Sequence, residues 1–146
     1  MDPIGKKLDD LLYFYRGIVD RVIDGDSIGL IIDLGFKQFR GKIKDNQLIG
    51  ENFRVRGINS PELHEGRKEW EENPNLPIPP GLGARNFAAS LLNDGDTVLV
   101  RTHKTGKFGR FLADIYLVDS EGIVTVSFAK VMIDEGRAEP YDGGKR

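Results

Sequence analysis

The chain has no cysteine and only two histidines. The first absence excludes disulfides, thiolate metal sites and thiol nucleophiles. The second leaves no His-x-x-x-His pair for a transition metal, and neither a phosphate-binding glycine loop nor a serine elbow is present. Long hydrophobic runs are also lacking. Nothing approaches the about 20 apolar residues that span a bilayer, and Met1 to Tyr15, with Lys6 and Lys7 followed by Asp9 and Asp10, has no apolar core of signal-peptide length. The chain is therefore expected to be cytoplasmic and without a membrane partner, although a secreted mature form would look the same. Nor does one charge dominate. Lys plus Arg number 21 against 23 Asp plus Glu, a net charge of -2, which excludes nucleic acid held mainly by counterion release over a broad basic face. Any such contact should be local.

What is present has the length of one domain, residues 1–146, enough to bury its own core. Pro3 to Leu12 forms a short helical lead-in within residues 1–12. Aromatic and β-branched residues from Tyr13 to Ile23 predict a strand, Asp24-Gly25-Asp26 a turn, and Ile28, Leu30, Ile32 and Leu34 a second strand at period two. Phe36 to Phe53 is polar enough to be a connection, with room for a short strand. Strand character resumes from Phe53 to Ile58. Residues 63–83, charged and proline-rich around Trp70, predict a long loop bordering the site. Trp70 there is a base-stacking platform, a structural plug or a mobile exposed indole, the last two together outweighing the first. Ala84, Phe87, Ala88, Leu91 and Leu92 mark a helix, Thr97 to His103 and Phe111 to Val118 two strands, and Val124, Phe128, Val131 and Met132 a helix stopped by Gly136. Three strands before the first helix and two after it fit an α+β fold, mainly β: a five-stranded Greek-key barrel of the OB type with two or three helices.

The chemistry-bearing residues collect at strand ends. Arg54-Val-Arg-Gly-Ile-Asn-Ser-Pro-Glu62 puts a cation, two polar oxygens and a carboxylate at the end of a strand, and Asp24-Gly-Asp26-Ser27 and Lys107-Phe-Gly-Arg110 offer carboxylates and a second arginine. A hard metal, a phosphate and an activated water suit such a set. Each piece has a plain alternative. Asp and Gly are turn formers, and Asp94-Gly-Asp96-Thr97 repeats the letters merely to lead from a helix into a strand. Arg54 and Arg56 share strand parity and are rivals for one role. Pro61 holds its predecessor extended and so fixes where Glu62 leaves the strand. His64 and His103 are taken as a loop residue and a strand-end residue.

Val22-Ile-Asp-Gly-Asp-Ser-Ile28, Arg54 to Glu62, Gly83-Ala-Arg85, Lys107-Phe-Gly-Arg-Phe-Leu-Ala113 and Glu135-Gly-Arg-Ala138, taken in order, resemble the staphylococcal nuclease, or thermonuclease-like, family, in particular its short phage- and plasmid-type members. The resemblance covers about Tyr15 to Tyr141. It implies an OB-fold endonuclease that hydrolyses DNA and RNA phosphodiesters with one calcium ion, prefers single-stranded or frayed substrate, acts as a monomer and leaves 3′-phosphate ends. Carried over by residue, it makes Asp26, Asn59 and Ser60, through its carbonyl, the metal ligands, with Asp24 behind them. Glu62 becomes the general base, Arg54 and Arg110 the phosphate-binding arginines, and Lys107, Phe108 and Tyr141 candidate substrate contacts.

Departures from the family pattern carry their own expectations. Asn59 stands where a carboxylate is usual, so calcium should bind more weakly. Phe108 replaces a tyrosine hydroxyl, and the spacing from Asp26 to Arg54 is longer than in the short secreted form, lengthening the region around Phe36 to Asn52. The competing reading is a catalytically weak or inactive OB module that binds nucleic acid or protein. It predicts loss of the arginines or of Glu62, and all three are present.

Overall fold

Alternating apolar residues on two long strands set the frame of the computed structural model, which describes residues 2–103 and 110–142. After helix α1 (Leu8–Leu11), β1 (Phe14–Asp24) turns through Gly25 and Asp26 into β2 (Ser27–Gly35). Four short strands follow: β3 (Gln38–Arg40), β4 (Lys42–Lys44), β5 (Gln47–Ile49) and β6 (Glu51–Val55). Next come β7 (Ile58–Asn59), α2 (Arg67–Glu72) and α3 (Pro80–Leu91). The chain then forms β8 (Thr97–His103), β9 (Phe111–Val118), β10 (Val124–Ser127), α4 (Phe128–Asp134) and β11 (Glu139–Pro140).

Pairing closes the sheet. β1 is antiparallel to both β2 and β8, β8 is antiparallel to β9, β9 runs parallel to β6, and β6 is antiparallel to β2. These five strands form the expected OB-type barrel. β3 extends β2 and β10 extends β9, while β4–β5 and β7–β11 are separate two-stranded ladders. The barrel is filled by Val19, Ile28, Leu30, Phe53, Val55, Val98, Val100 and Ile115, and Ala84 and Ala88 of α3 with Phe128 and Met132 of α4 complete the core. Ser127 caps α4, its Oγ accepting the Lys130 N–H at 3.3 Å. Gly136, at φ +70°, ends that helix as its position in the sequence predicts.

The structure differs from the sequence reading in four places. Leu34 leaves the core face and is exposed, because β2 runs beyond the barrel there. Phe36 to Phe53 holds three short strands before β6 rather than one, built on two hairpins whose turn residues, Phe36-Lys37 and Asp45-Asn46, all have positive φ. Residues 63–83 are not a structureless loop: Arg67–Glu72 is helical, tied by an i,i+4 Arg67–Glu71 bond of 3.0 Å, and α3 begins at Pro80. Val124 belongs to β10 and not to the last helix. With α1 and α2 the described residues hold four helices. None is long and apolar enough to cross a membrane.

Phe128 is fully buried where α4 closes the barrel. Phe128→Ala should lower unfolding free energy by about 3–5 kcal/mol in a urea titration. A loss under 1 kcal/mol would mean that α4 is not part of the cooperative core.

Candidate active site

The β1–β2 turn, the exit of β7 and α3 meet because a glycine lets them. A Cβ on Gly25 would stand 2.8 Å from Ser60 Cβ and 3.1 Å from Ala84 Cβ, so only glycine fits between the turn, the β7 exit and α3. The turn is braced internally, with Asp24 Oδ1 accepting the Asp26 N–H at 3.0 Å. From there Asp26 reaches both neighbours. Its Oδ2 accepts the Ser60 N–H at 2.9 Å and forms an ion pair with Arg54 Nη1.

Arg54 is at the centre, with 5% of its surface exposed. Its Nη2 donates to the Ile58 carbonyl at 3.1 Å and to Asn59 Oδ1 at 3.5 Å, and its guanidinium lies 5.8 Å from the centre of the Tyr141 ring. Tyr141 is held there by its own N–H, which donates to the Gly57 carbonyl at 2.9 Å, and by the β7–β11 ladder, where Glu139 pairs with Asn59. Beside Asn59 and Ser60 a cleft of about 260 Å³ opens toward Arg137 and Glu139.

Arg56 does not join this cluster. The strand ends at Val55, Gly57 turns the chain at φ +88°, and Arg56 is left outside in a two-bond ion pair with Asp114 at 2.9 and 3.1 Å. His103 binds the same carboxylate, Nε2 to Oδ2 at 2.8 Å. Burial works to raise the Asp114 carboxyl, but Arg56 and His103 outweigh it and hold it below the usual carboxylate range. Asp94-Gly-Asp96 is a turn, with Gly95 at φ +87° and Asp96 Oδ2 accepting the Asn93 N–H at 2.9 Å.

Glu62 is exposed on the chain leaving β7, and its backbone is pinned by α3: a Cβ on Gly81 would come 2.0 Å from the Glu62 carbonyl oxygen. Arg110 is half-buried at the entrance to β9, two residues before Leu112, the register partner of Arg54, and makes no hydrogen bond or ion pair with a described residue. Lys107 and Phe108 lie outside the described residues. His64 is exposed in the connection to α2. Trp70 is half-buried, its Nε1 without a hydrogen-bond partner among the described residues. Gly25 and Gly81 are the positioning residues that the sequence reading missed. The close approaches that demand them join segments far apart in the chain and leave no local signal.

A family model for staphylococcal nuclease homologues matches residues 52–145. The chain belongs to that family. The matched span takes in Arg54, Asn59, Ser60, Glu62, Arg110 and Tyr141, whereas Asp24 and Asp26 precede it and join the site through the fold. No curated protein matches the chain. Family membership supports phosphodiester hydrolysis of nucleic acid in general terms, and the expected fold is the one observed.

Electrostatically the two carboxylates of the turn behave in opposite ways. Burial pushes the Asp24 carboxyl up to about 7, helped by its hydrogen bond to Asp26 and by the charge of Asp26. Burial also works to raise Asp26, but hydrogen bonds from Asp24 and the Ser60 N–H and the charge of Arg54 prevail and hold it below the usual range. The buried Asp26 carboxylate, the half-buried Asp24 carboxyl and the Asn59 amide oxygen are hard oxygen donors of the kind a calcium-like cation takes. Among the described residues no group of three acidic or histidine side chains gathers to hold a metal, so Asn59, Ser60 and water would have to complete the coordination.

The raised Asp24 pKa has a measurable consequence. Below its unfolded value of 3.8 the carboxyl is protonated folded or unfolded. Between there and about 7 only the unfolded chain ionises, so its contribution to stability is lost as pH rises through that window. In chelator, the melting temperature should therefore fall between pH 5 and about 7.5, and Asp24→Asn should flatten that slope. An equal slope in the variant would show that Asp24 titrates normally.

Proposed function

We propose that the protein is a calcium-dependent endonuclease that hydrolyses DNA and RNA phosphodiesters, single-stranded or frayed, as a monomer in the cytoplasm. The observation that carries this reading is the buried arginine at the meeting point of Asp26, Asn59 and Ser60, inside a chain of the nuclease family. A phosphodiester is anionic and repels hydroxide, so the reaction needs positive charge that grips the non-bridging oxygens more strongly as the pentacovalent state forms.

Arg54 supplies that charge from a low-dielectric setting, and Arg110, with no ion-pair or hydrogen-bond partner among the described residues, supplies the second guanidinium. The Asp26 carboxylate is paired with Arg54 Nη1, and a bound cation that drew on Asp26 would leave that N–H for a phosphate oxygen. Asp26, Asn59 and the Ser60 carbonyl would hold the calcium, with Asp24 behind them, and the ion when bound supplies Lewis-acid stabilisation of the phosphate. Glu62, on a backbone fixed by Gly81, takes the proton of the attacking water. The 5′-oxygen leaves, and the product ends in a 3′-phosphate. Lys107, Phe108 and Tyr141 complete the substrate contacts.

Glu62→Gln should lower turnover on single-stranded DNA by about 100- to 10,000-fold at saturating calcium, with little change in metal affinity. Wild-type turnover in that variant would remove Glu62 from the chemistry. Arg54→Lys and Arg110→Lys keep the charge but lose the planar fork, and each should cost about 100-fold or more, while Arg56→Lys stays near wild type. Equal losses at Arg56 would contradict the assignment.

Asn59→Asp adds a charge at the metal position and should tighten calcium in a calorimetric titration with nucleotide present, while maximal rate stays level or falls. Unchanged or weaker calcium binding would exclude residue 59 as a ligand.

A further inference from the structure

Two hairpins lie between Gly35 and Ile49, one at the end of β2 and one leaving the barrel at the level of Leu30 and Ile32, and both precede the family-matched span. Their base is secured: Arg40 pairs with Glu51 at 3.3 Å and lies 5.0 Å from the centre of the Phe111 ring. Their outer part is not built for folding. Phe36 occupies a tight turn at φ +54° with 98% of its surface exposed, a bulky side chain in the left-handed region that gains no packing in return. Phe39, Ile43 and Leu48 are also exposed, Ile43 and Leu48 as a cross-strand pair on one face of β4–β5. Lys42 and Lys44 alternate onto the other face, Lys37 adjoins Phe36, and none of the three lysines has an ion-pair partner among the described residues. On a chain of net charge -2, this is a local basic surface interleaved with exposed aromatics.

We infer that this arm is a second contact surface for single-stranded polynucleotide, with Phe36 stacking on unpaired bases and Lys37, Lys42 and Lys44 meeting backbone phosphates. Unpaired bases suit exposed phenylalanines because every base has a stackable face, and the lysines supply the sequence-independent charge that such binding uses. The Phe36 turn lies well away from the site, whereas the β4–β5 hairpin rejoins the barrel beside Gly29 and Leu30. Gly35 is about nine strand residues from Asp26, roughly 30 Å at about 3.3 Å per residue. A strand of about 20 nucleotides, rising at least ~3.4 Å per nucleotide, covers that distance. The inference rests on the nucleic-acid reading of the site, but binding through the arm requires neither calcium nor cleavage.

The test is fluorescence anisotropy with labelled 20-nucleotide oligothymidylate in chelator, at several salt concentrations, on three proteins: the unaltered chain, Phe36→Gly, and Lys37→Glu/Lys42→Glu/Lys44→Glu. Glycine accepts the positive φ without steric cost. Phe36→Gly should therefore melt at or above the temperature of the unaltered protein yet bind between about 5- and 150-fold more weakly, the range for losing one stacking partner. The triple variant should lower the slope of log affinity against log salt by about 2, at about 0.7 per lost phosphate contact. The inference is overturned if both variants bind within twofold of the unaltered chain with its salt slope, or if Phe36→Gly lowers the melting temperature, which would make Phe36 structural. It is equally overturned if sedimentation shows a dimer that Phe36→Gly dissolves, making the arm an interface between copies. Arm-dependent binding without calcium-dependent cleavage would instead overturn the nuclease reading and leave the arm assignment standing.

Discussion

The ion pair between Arg54 and Asp26 is the interaction on which the rest of the site depends. Both side chains are more than nine-tenths buried, and taking two charges out of water costs several kcal/mol per ion unless their remaining polar atoms are also satisfied. Here they are: the guanidinium donates to the Ile58 carbonyl and Asn59, and the carboxylate accepts the Ser60 N–H. A buried pair of this kind is weak ground for stability, since well-packed apolar residues can replace one without loss. It is a strong device for position. It ties the β1–β2 turn, the end of β6 and the start of the chain that carries Glu62 to one point.

Two glycines complete that convergence. Gly25 lets the carboxylate turn press against Ser60, and Gly81 lets the first turn of α3 lie on the Glu62 carbonyl. Turn, strand end and helix therefore share one wall, and the carboxylate-bearing chain leaves it in a fixed direction. Tyr141 and the β7–β11 ladder brace the opposite side, so segments from both ends of the chain enclose the same arginine.

Much of this was legible in the sequence wherever a local rule operates. Asp24-Gly-Asp announces its hairpin through turn chemistry, Pro61 marks the strand exit, aromatic and β-branched residues mark β1, and apolar residues at period two mark β2. Parity could not separate Arg54 from Arg56. What separates them is the positive φ of Gly57 and the Asp114 carboxylate, from a strand more than fifty residues away in sequence. The α2 helix was obscured by the prolines that follow it, yet Arg67-Lys-Glu-Trp-Glu-Glu72 is a run of good helix formers. The arm escaped for a different reason. Three-residue strands with exposed faces carry no core periodicity, and Phe36-Lys37 is not a turn-forming pair. Functional or strained sites are where local preference and observed conformation are expected to conflict.

Cleavage of 5′-labelled single-stranded DNA in calcium and in chelator, with phosphatase treatment of the products, tests the account most directly. A ladder that forms only with calcium, each band losing mobility after phosphatase removes a 3′-phosphate, is the predicted result. No ladder in calcium, or products whose mobility phosphatase leaves unchanged, would contradict it.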